Sequence, residues 1–198
     1  MRAEPIAIPS EPECRRLIAD MGMLEHIVAH SQQVCRVALL LASRLELPRR
    51  DRELIRAAAL LHDITKTRSF RTGEDHAETG ECLIRELGYP EVAAVVGQHV
   101  RLRRTGRPSA VPAAAEVVNY ADKRVLHDRI VPLAERMGYI LARYGATPER
   151  KRWIMGLRER SEKLEARLFS RLPFAPADVS RLLAEGPHPE VPTPARPR

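Results

Sequence analysis

The chain has 198 residues, of which 44% are hydrophobic and 30% charged, as in soluble globular proteins that bury a core of their own. Its longest strongly apolar run, residues 37–42, is far shorter than the ~20 residues that span a bilayer, and residues 1–10 lack the apolar segment of a secretory signal. Three widely spaced cysteines without a Cys-x-x-Cys pattern predict free thiols. We therefore expect a cytoplasmic protein without a membrane partner.

Nearly every segment carries an apolar period of 3.6 residues and none alternates as a strand does, so the predicted fold class is all-α. In chain order, helices are predicted at about 11–19, 24–46, 51–63, 76–87, 91–100, 113–125, 132–144, 148–172 and 178–185. Residues 65–75 and the basic segment 101–108 are predicted to be loops. From residue 186 onward five of thirteen residues are proline, which predicts a tail that does not pack.

The helices are expected to form a single domain. An N-terminal helix lies in 1–23, a core in 24–130, C-terminal helices that pack on the core in 131–185, and a flexible Pro-rich tail in 186–198. In the long helix 148–172, one apolar stripe is formed by Ile154, Leu157, Leu164 and Leu168. We predict that this stripe packs on the core, and a contact in a homodimer is the alternative.

Six groups able to bind a metal occupy positions where apolar residues are expected. Four predicted helices each carry one such group on the inward face and a fifth ends in a His-Asp pair, the six being His30, His62, Asp63, His76, His99 and Asp122. A single inward histidine is commonly a hydrogen-bonded core residue. A buried unpaired carboxylate, however, costs on the order of several kcal/mol, and no Lys or Arg shares these stripes. The set therefore predicts a metal site.

The same residues carry a family resemblance. The order His30, His62-Asp63, Asp122 resembles the signature of HD-domain phosphohydrolases, and the local sequences at 60–66 and 120–123 agree with it. The resemblance covers residues 24–130 and implies that this core is a metal-binding HD domain, a helical bundle in which these four residues bind one divalent metal. Members with two metals add two histidines where His76 and His99 stand, which implies that Asp63 bridges two ions.

The number and type of ligands narrow the choice of metal. Six protein ligands overfill a tetrahedral zinc site, but shared between two ions they leave positions open for substrate. Four histidines and two aspartates without a thiolate suit transition metals better than Mg or Ca. The predicted cofactors are two divalent transition-metal ions, with Fe or Mn as the first choice and Co, Ni or Zn as alternatives.

The formal charge of +7 favours an anionic ligand. Nucleic acid is disfavoured because no basic patch is interleaved with aromatic residues. Lys66 resembles the family's lysine that contacts the substrate phosphate, which implies a catalytic role beside Asp63. Further phosphate contacts are predicted for four residues, with solvated surface charges as the alternative: Arg101, Arg103, Lys123 and Arg129.

Two other histidines are assigned less sharply. His26 lies one helical turn before His30, so it either lines the pocket or is simply a polar residue at a helix start. His127-Asp128 repeats the His-Asp pair without the apolar run that precedes His62. We predict that this second pair supports the site or lies at the surface.

Two-metal sites suit phosphoester hydrolysis, because the ions activate water and stabilise the charge that develops on the phosphoryl oxygens. Small members with six ligands resemble the bacterial diadenosine tetraphosphate hydrolases of the YqeK type, which implies a small phosphorylated, nucleotide-like substrate. Two alternatives stay open: a di-iron oxygenase that resembles inositol and phosphonate oxygenases, and a non-catalytic nucleotide-binding module. The complete ligand set argues against the module.

Overall fold

The computed structural model describes residues 7–103 and 112–185. Within these ranges the fold is all-α, as predicted, and its helices are α1 Glu11–Asp20, α2 Glu25–Arg44, α3 Arg49–Leu61, α4 Lys66–Thr72, α5 His76–Glu86, α6 Pro90–Val96, α7 Ala114–Asp122, α8 Leu133–Tyr144, α9 Pro148–Phe169 and α10 Val179–Glu185. Strands β1 Val125–Leu126 and β2 Arg129–Ile130 form an antiparallel hairpin, and Pro176–Asp178 form a 3-10 turn. The predicted tail 186–198 and the loop residues 104–108 lie outside the described residues.

Helix α2 lies at the centre of the fold and is buried along most of its length. Helices α3 and α7 pack against it, and α6 packs against α3. Around this centre, α5 pairs with α6, α8 pairs with α9, and α1 rests on α3. The helices that carry the predicted ligands therefore share one continuous apolar core.

Side-chain caps set the first residue of several helices. Ser10 and Glu13 form a reciprocal capping box at α1, in which the Ser10 N–H donates to the Glu13 carboxylate at 2.7 Å. At α5, the Asp75 carboxylate accepts a hydrogen bond from the Ala77 N–H at 2.8 Å. The second cap fixes His76 as the first residue of α5.

The prediction of a loop at 65–75 was wrong, because the segment contains the seven-residue helix α4. No apolar period marks α4, since none of its residues is buried. Hydrogen bonds to other elements hold it instead: the Leu24 N–H donates to Thr67 Oγ1 at 3.1 Å. The helix ends at Gly73, whose φ of +71° is the left-handed conformation that glycine adopts without strain.

The helix predicted at 113–125 also ends early. It stops at Asp122, and Val125 instead pairs with Ile130 in the hairpin. The predicted absence of any strand therefore fails at this one short hairpin. Its two-residue strands are too short to show an alternating pattern in the sequence.

The apolar stripe of α9 packs within the chain. Its members are all buried, at Ile154, Leu157, Leu164 and Leu168. Helix α9 contacts both α8 and α7. This stripe is therefore covered by the chain's own residues.

The cysteines are free thiols, as predicted. Cys14 and Cys35 are buried, and burial raises the pKa of each thiol to about 12. Both thiols are therefore neutral and poorly reactive at neutral pH. Among the helices of the described ranges, none combines the length and the apolar character needed to cross a membrane.

A buried hydrogen-bond network ties the C-terminal elements to α7. Arg124 is only 2% exposed, and its guanidinium donates to the carbonyls of Val131 at 2.8 Å and Pro176 at 2.9 Å. It also donates to the Tyr120 hydroxyl at 2.5 Å, and that hydroxyl donates to the Glu165 carboxylate at 2.5 Å. One side chain therefore links α7, the segment after β2, the 3-10 turn and α9.

Replacing Arg124 by Ala is expected to lower the free energy of unfolding by about 3 kcal/mol, because Glu165 loses the guanidinium 3.6 Å away and buried carbonyls lose their donors. The matched control is Arg158→Ala on the exposed face of α9, where the pair with Glu162 at 2.7 Å is worth less than about 1 kcal/mol. Urea unfolding followed by far-UV circular dichroism measures both. Equal, small losses in the two variants would contradict the structural role of Arg124.

Candidate metal centre

The structure brings the six predicted ligands together. They form two groups, His30, His62 and Asp122 in one and Asp63, His76 and His99 in the other, and within each group the ligand atoms lie within 4.8 Å of one another. The groups are adjacent, since the ring centroids of His62 and His99 are 4.9 Å apart. Residues almost one hundred positions apart in sequence thus share one buried space.

Asp63 lies between the two groups. Its Oδ1 is 3.3 Å from His76 Nε2 and 3.5 Å from His99 Nε2, while its Oδ2 is 3.5 Å from His62 Nε2. One carboxylate therefore faces imidazoles of both groups. This position suits the bridging role that the family resemblance implies.

Backbone carbonyls orient three of the imidazoles. In each of them Nδ1 lies within hydrogen-bond distance of a carbonyl oxygen: of His127 for His30 at 2.9 Å, of Ala59 for His62 at 2.8 Å, and of Val96 for His99 at 2.7 Å. A carbonyl can only accept, so Nδ1 carries a proton, and in the neutral ring Nε2 keeps its lone pair. The three lone pairs face the cluster, as in histidines that bind metals.

The cluster is unfavourable without a cation inside it. The Nε2 atoms of His76 and His99 lie 3.1 Å apart, and since the His99 proton is on Nδ1, only His76 can donate in this contact. Among the described residues, buried His62 Nε2 and Asp63 Oδ1 have no hydrogen-bond partner. Buried polar atoms are normally paired, and a divalent ion satisfies several converging lone pairs at once. The residues present therefore fit divalent transition metals.

Both carboxylates of the cluster are held in the anionic form. For Asp63, burial acts to raise the pKa, but His62 and Lys66 outweigh it and hold the pKa well below its usual range. Burial also acts to raise the pKa of Asp122, and the His30 imidazole 3.1 Å away, with the cations Lys123 and Arg136, keeps that pKa low. Metal ligands must be deprotonated, and the two carboxylates meet this requirement.

His99 lies beyond the end of α6, although the sequence predicted helix as far as residue 100. Helix α6 ends at Val96, and side chains from α7 and its end hold the residues that follow. The Asn119 amide donates to the carbonyls of Gln98 at 2.8 Å and His99 at 2.9 Å. Lys123 Nζ donates to the same His99 carbonyl at 2.9 Å. Asn119 and Lys123 thus position a ligand without touching the cluster's centre.

The contacts of Lys123 do not support its predicted role in phosphate binding. The side chain is 2% exposed, and its ammonium also donates to the Asn119 carbonyl at 3.1 Å. Burial lowers the pKa of this lysine to about 8, only partly offset by Asp122. Its amino group is directed at backbone carbonyls and not at solvent or the cavity.

The three arginines predicted to bind phosphate lie elsewhere on the surface. Arg103 pairs with Glu81, Arg129 pairs with Glu135 at 3.3 Å, and Arg101 borders a small pocket beside α9. In the part of the chain that the structure describes, none of the three lines the cavity at the metal cluster. Their predicted contacts with substrate are therefore not favoured by their positions.

A cavity of about 260 Å³ opens beside the cluster. On one side it is lined by His30, Asp63 and Lys66, whose ammonium donates to Asp63 Oδ2 at 2.7 Å. Asp63 raises the pKa of Lys66 although burial lowers it, so the lysine is a cation. The structure thus places both residues predicted to be catalytic at the cavity.

The cavity is also lined by residues that the sequence analysis missed: Phe70 of α4 and Arg136, Tyr139, Arg143 and Tyr144 of α8. The available signal was the helical spacing of arginines and tyrosines in α8, which places them on one face. No family motif marks them.

His26 also lines the cavity, which selects the first of its two interpretations. His127 lines it too, from the hairpin turn between β1 and β2, with a φ of +57°. The His127 ring packs edge-on against Tyr139, with centroids 5.5 Å apart, while its carbonyl accepts from His30. The second His-Asp pair therefore supports the site through its histidine.

The chain is similar to a known protein family and to two characterised proteins. A model of the HD domain matches residues 27–172. The tRNA (cytidine(56)-2′-O)-methyltransferase of Picrophilus torridus is 29% identical over 142 residues, which cover 66% of this chain and 40% of that protein. Ribonuclease Y of Aquifex aeolicus is 36% identical over 93 residues, 47% of this chain and 16% of that protein. The chain thus spans less than half of either relative, and no solved structure matches it significantly.

Asp63→Asn is expected to remove most of the bound metal, because the carboxylate faces both groups of ligands. The matched control is His26→Asn, which alters a cavity residue outside both groups and should leave the metal content unchanged. Elemental analysis of anaerobically purified protein measures the ions per chain, and a thermal melt with added Mn²⁺ measures the stabilisation that binding provides. Wild-type metal content in Asp63→Asn would contradict the shared role of Asp63.

Proposed function

This chain belongs to the HD domain family, and from that premise we propose that it is a metal-dependent phosphohydrolase that cleaves a phosphoester or phosphoanhydride of a small nucleotide-like substrate. HD domains bind divalent metals and are generally hydrolases. The observation that carries the proposal is the position of the buried ligand cluster, which opens onto a cavity with a charged lysine. Two divalent transition-metal ions, iron or manganese first, are the proposed cofactors.

When bound, such ions supply Lewis acidity toward water and phosphoryl oxygens. The chain's own part is to orient the substrate and to neutralise charge that develops on the transferred group. Lys66 lies beside Asp63 at the cavity, so its ammonium is placed to stabilise a phosphoryl oxygen. Arg136, 4.0 Å from Asp122 Oδ1, supplies a second cation on the same cavity.

The relatives' names support only the coarse chemistry. One is a methyltransferase and the other a ribonuclease, and only the ribonuclease cleaves a phosphodiester as proposed here. A small substrate fits a cavity of about 260 Å³ better than a long polymer does. A cytoplasmic location is part of the same proposal and is supported by the three free thiols.

Hydrolysis should proceed without oxygen, because it requires Lewis acidity but no change in the metal's oxidation state. We expect the manganese-loaded protein to release phosphate or a nucleoside monophosphate from members of a nucleotide panel under strict anaerobiosis. Phosphate assay and chromatography of the products measure the reaction, with the Asp63→Asn protein as the control. Substrate-dependent oxygen consumption without phosphoester cleavage would instead establish the oxygenase alternative.

Replacing Lys66 by Ala is expected to lower kcat by about 10²- to 10³-fold, the usual effect of removing one donor that stabilises a developing oxyanion. The metal content should stay at the wild-type level, since the lysine lies outside both ligand groups. Steady-state kinetics and elemental analysis of the same preparation test both points. The matched control, Lys163→Ala, changes an exposed lysine of α9 and should leave kcat unchanged. Normal turnover in Lys66→Ala would contradict its assigned role.

A further inference from the structure

One face of α8 lines the cavity beside the metal ligands. Its contributors are Arg136, Tyr139, Arg143 and Tyr144, whose spacings of three, seven and eight residues return to the same side of a helix. Phe70 of α4 joins them. The chain has only four tyrosines and three phenylalanines, so three of its seven such rings lie at this one cavity. That concentration points to a ligand with a planar group.

The outer rings are accessible to a ligand. Tyr144 is 57% exposed and Phe70 is 62% exposed, so neither ring is packed in the core. Guanidinium groups flank the tyrosines: Arg143 Cζ lies 5.6 Å from the Tyr144 centroid, and Arg136 Cζ lies 5.8 Å from that of Tyr139. Accessible rings beside cations suit a planar, anionic ligand such as a nucleotide.

The two arginines keep donors free for an anion. Among the described residues, Arg143 has no carboxylate within 4.0 Å, and the sole such contact of Arg136 is Asp122 Oδ1 at 4.0 Å. The buried Nε of Arg136 also lacks a hydrogen-bond partner in the described ranges. Guanidinium donors bind phosphate oxygens with well-defined geometry, so a phosphate chain would satisfy both side chains.

Exposure increases from the metal ligands toward the cavity mouth. The Arg136 side chain, beside Asp122, is 14% exposed, whereas Tyr144 and Phe70 are more than half exposed. The enclosed part of the cavity thus holds the metal ligands, Lys66 and Arg136, and the exposed part holds the rings of Tyr144 and Phe70. A nucleoside polyphosphate carries its groups in that order, with the terminal phosphates at one end and the base at the other.

We infer that the cavity-facing side of α8 is the recognition surface for a nucleoside polyphosphate. Arg136 and Arg143 bind the phosphates beyond the reacting one, and Tyr144 with Phe70 stacks the nucleobase. This inference rests on the proposed function and specifies its substrate. It assigns recognition to α8 in place of the arginines near His99 that the sequence suggested.

Calorimetric titration of the manganese-loaded protein tests the inference with two probes. One probe is the non-hydrolysable imido analogue of ATP, and the other is inorganic tripolyphosphate, which has no base. The double variant Phe70→Leu/Tyr144→Leu keeps apolar bulk but loses both rings, and should bind the nucleotide analogue at least about tenfold more weakly while its tripolyphosphate affinity is unchanged. Arg143→Gln should weaken both probes.

The matched control is Trp153→Leu, which removes a partly exposed ring of α9 outside the cavity and should change neither affinity. Wild-type affinity for the nucleotide analogue in the double variant, or an equal loss of both probes, would overturn base stacking on these rings. Equal binding of both probes by the wild-type protein would overturn it as well. Because the titration measures binding alone, absence of phosphate release beside the expected affinities would reject the hydrolase and retain the recognition surface.

Discussion

A carboxylate buried among helices needs positive or proton-donating groups on every side, and Asp63, at 1% exposure, imposes this requirement on the fold. Its neighbours arrive from separate elements: His62 from the end of α3, Lys66 from α4, His76 from the start of α5, and His99 from the segment after α6. Moving any one of these elements would leave a charged oxygen in an apolar interior. The arrangement of the helices therefore depends on compensating the charge of Asp63, and that compensation depends on the arrangement.

The apolar core positions the backbone of the ligands, and polar contacts orient their side chains. Packing of α2, α3, α5, α6 and α7 fixes where each ligand's backbone lies, to within the tolerance of side-chain packing. Hydrogen bonds then orient the rings, and Asn119 and Lys123 secure His99 where helical hydrogen bonds no longer do. Lys123, which the sequence predicted to contact phosphate, thus holds the backbone of the ligand His99.

The sequence was informative where polar residues interrupt apolar periodicity. His30, His62 and Asp122 could be selected because a charged or polar group on a buried face needs a specific reason. Features that depend on tertiary contacts have no such sequence pattern. Helix α4 has no buried face, and the β1–β2 hairpin is too short to show alternating apolar and polar residues. The direction of Lys123 was equally hidden, because adjacency to Asp122 does not show whether a side chain turns toward solvent or toward carbonyls. The α8 face was missed because its arginines and tyrosines look like ordinary surface residues.

The carbonyl anchors of the imidazoles affect how the site can change by mutation. His30, His62 and His99 each donate through Nδ1 to the backbone, so side-chain replacement at the accepting residue leaves the acceptor in place. At Ala59 and Val96, which lie in regular helices, the helical backbone and not the side chain sets the direction of that carbonyl. His127 differs, since its φ of +57° is readily adopted only by glycine and by residues such as asparagine and aspartate. The main-chain conformation at Ala59 and Val96 therefore places no special demand on the residue type. At His127 it limits which residues can replace the histidine.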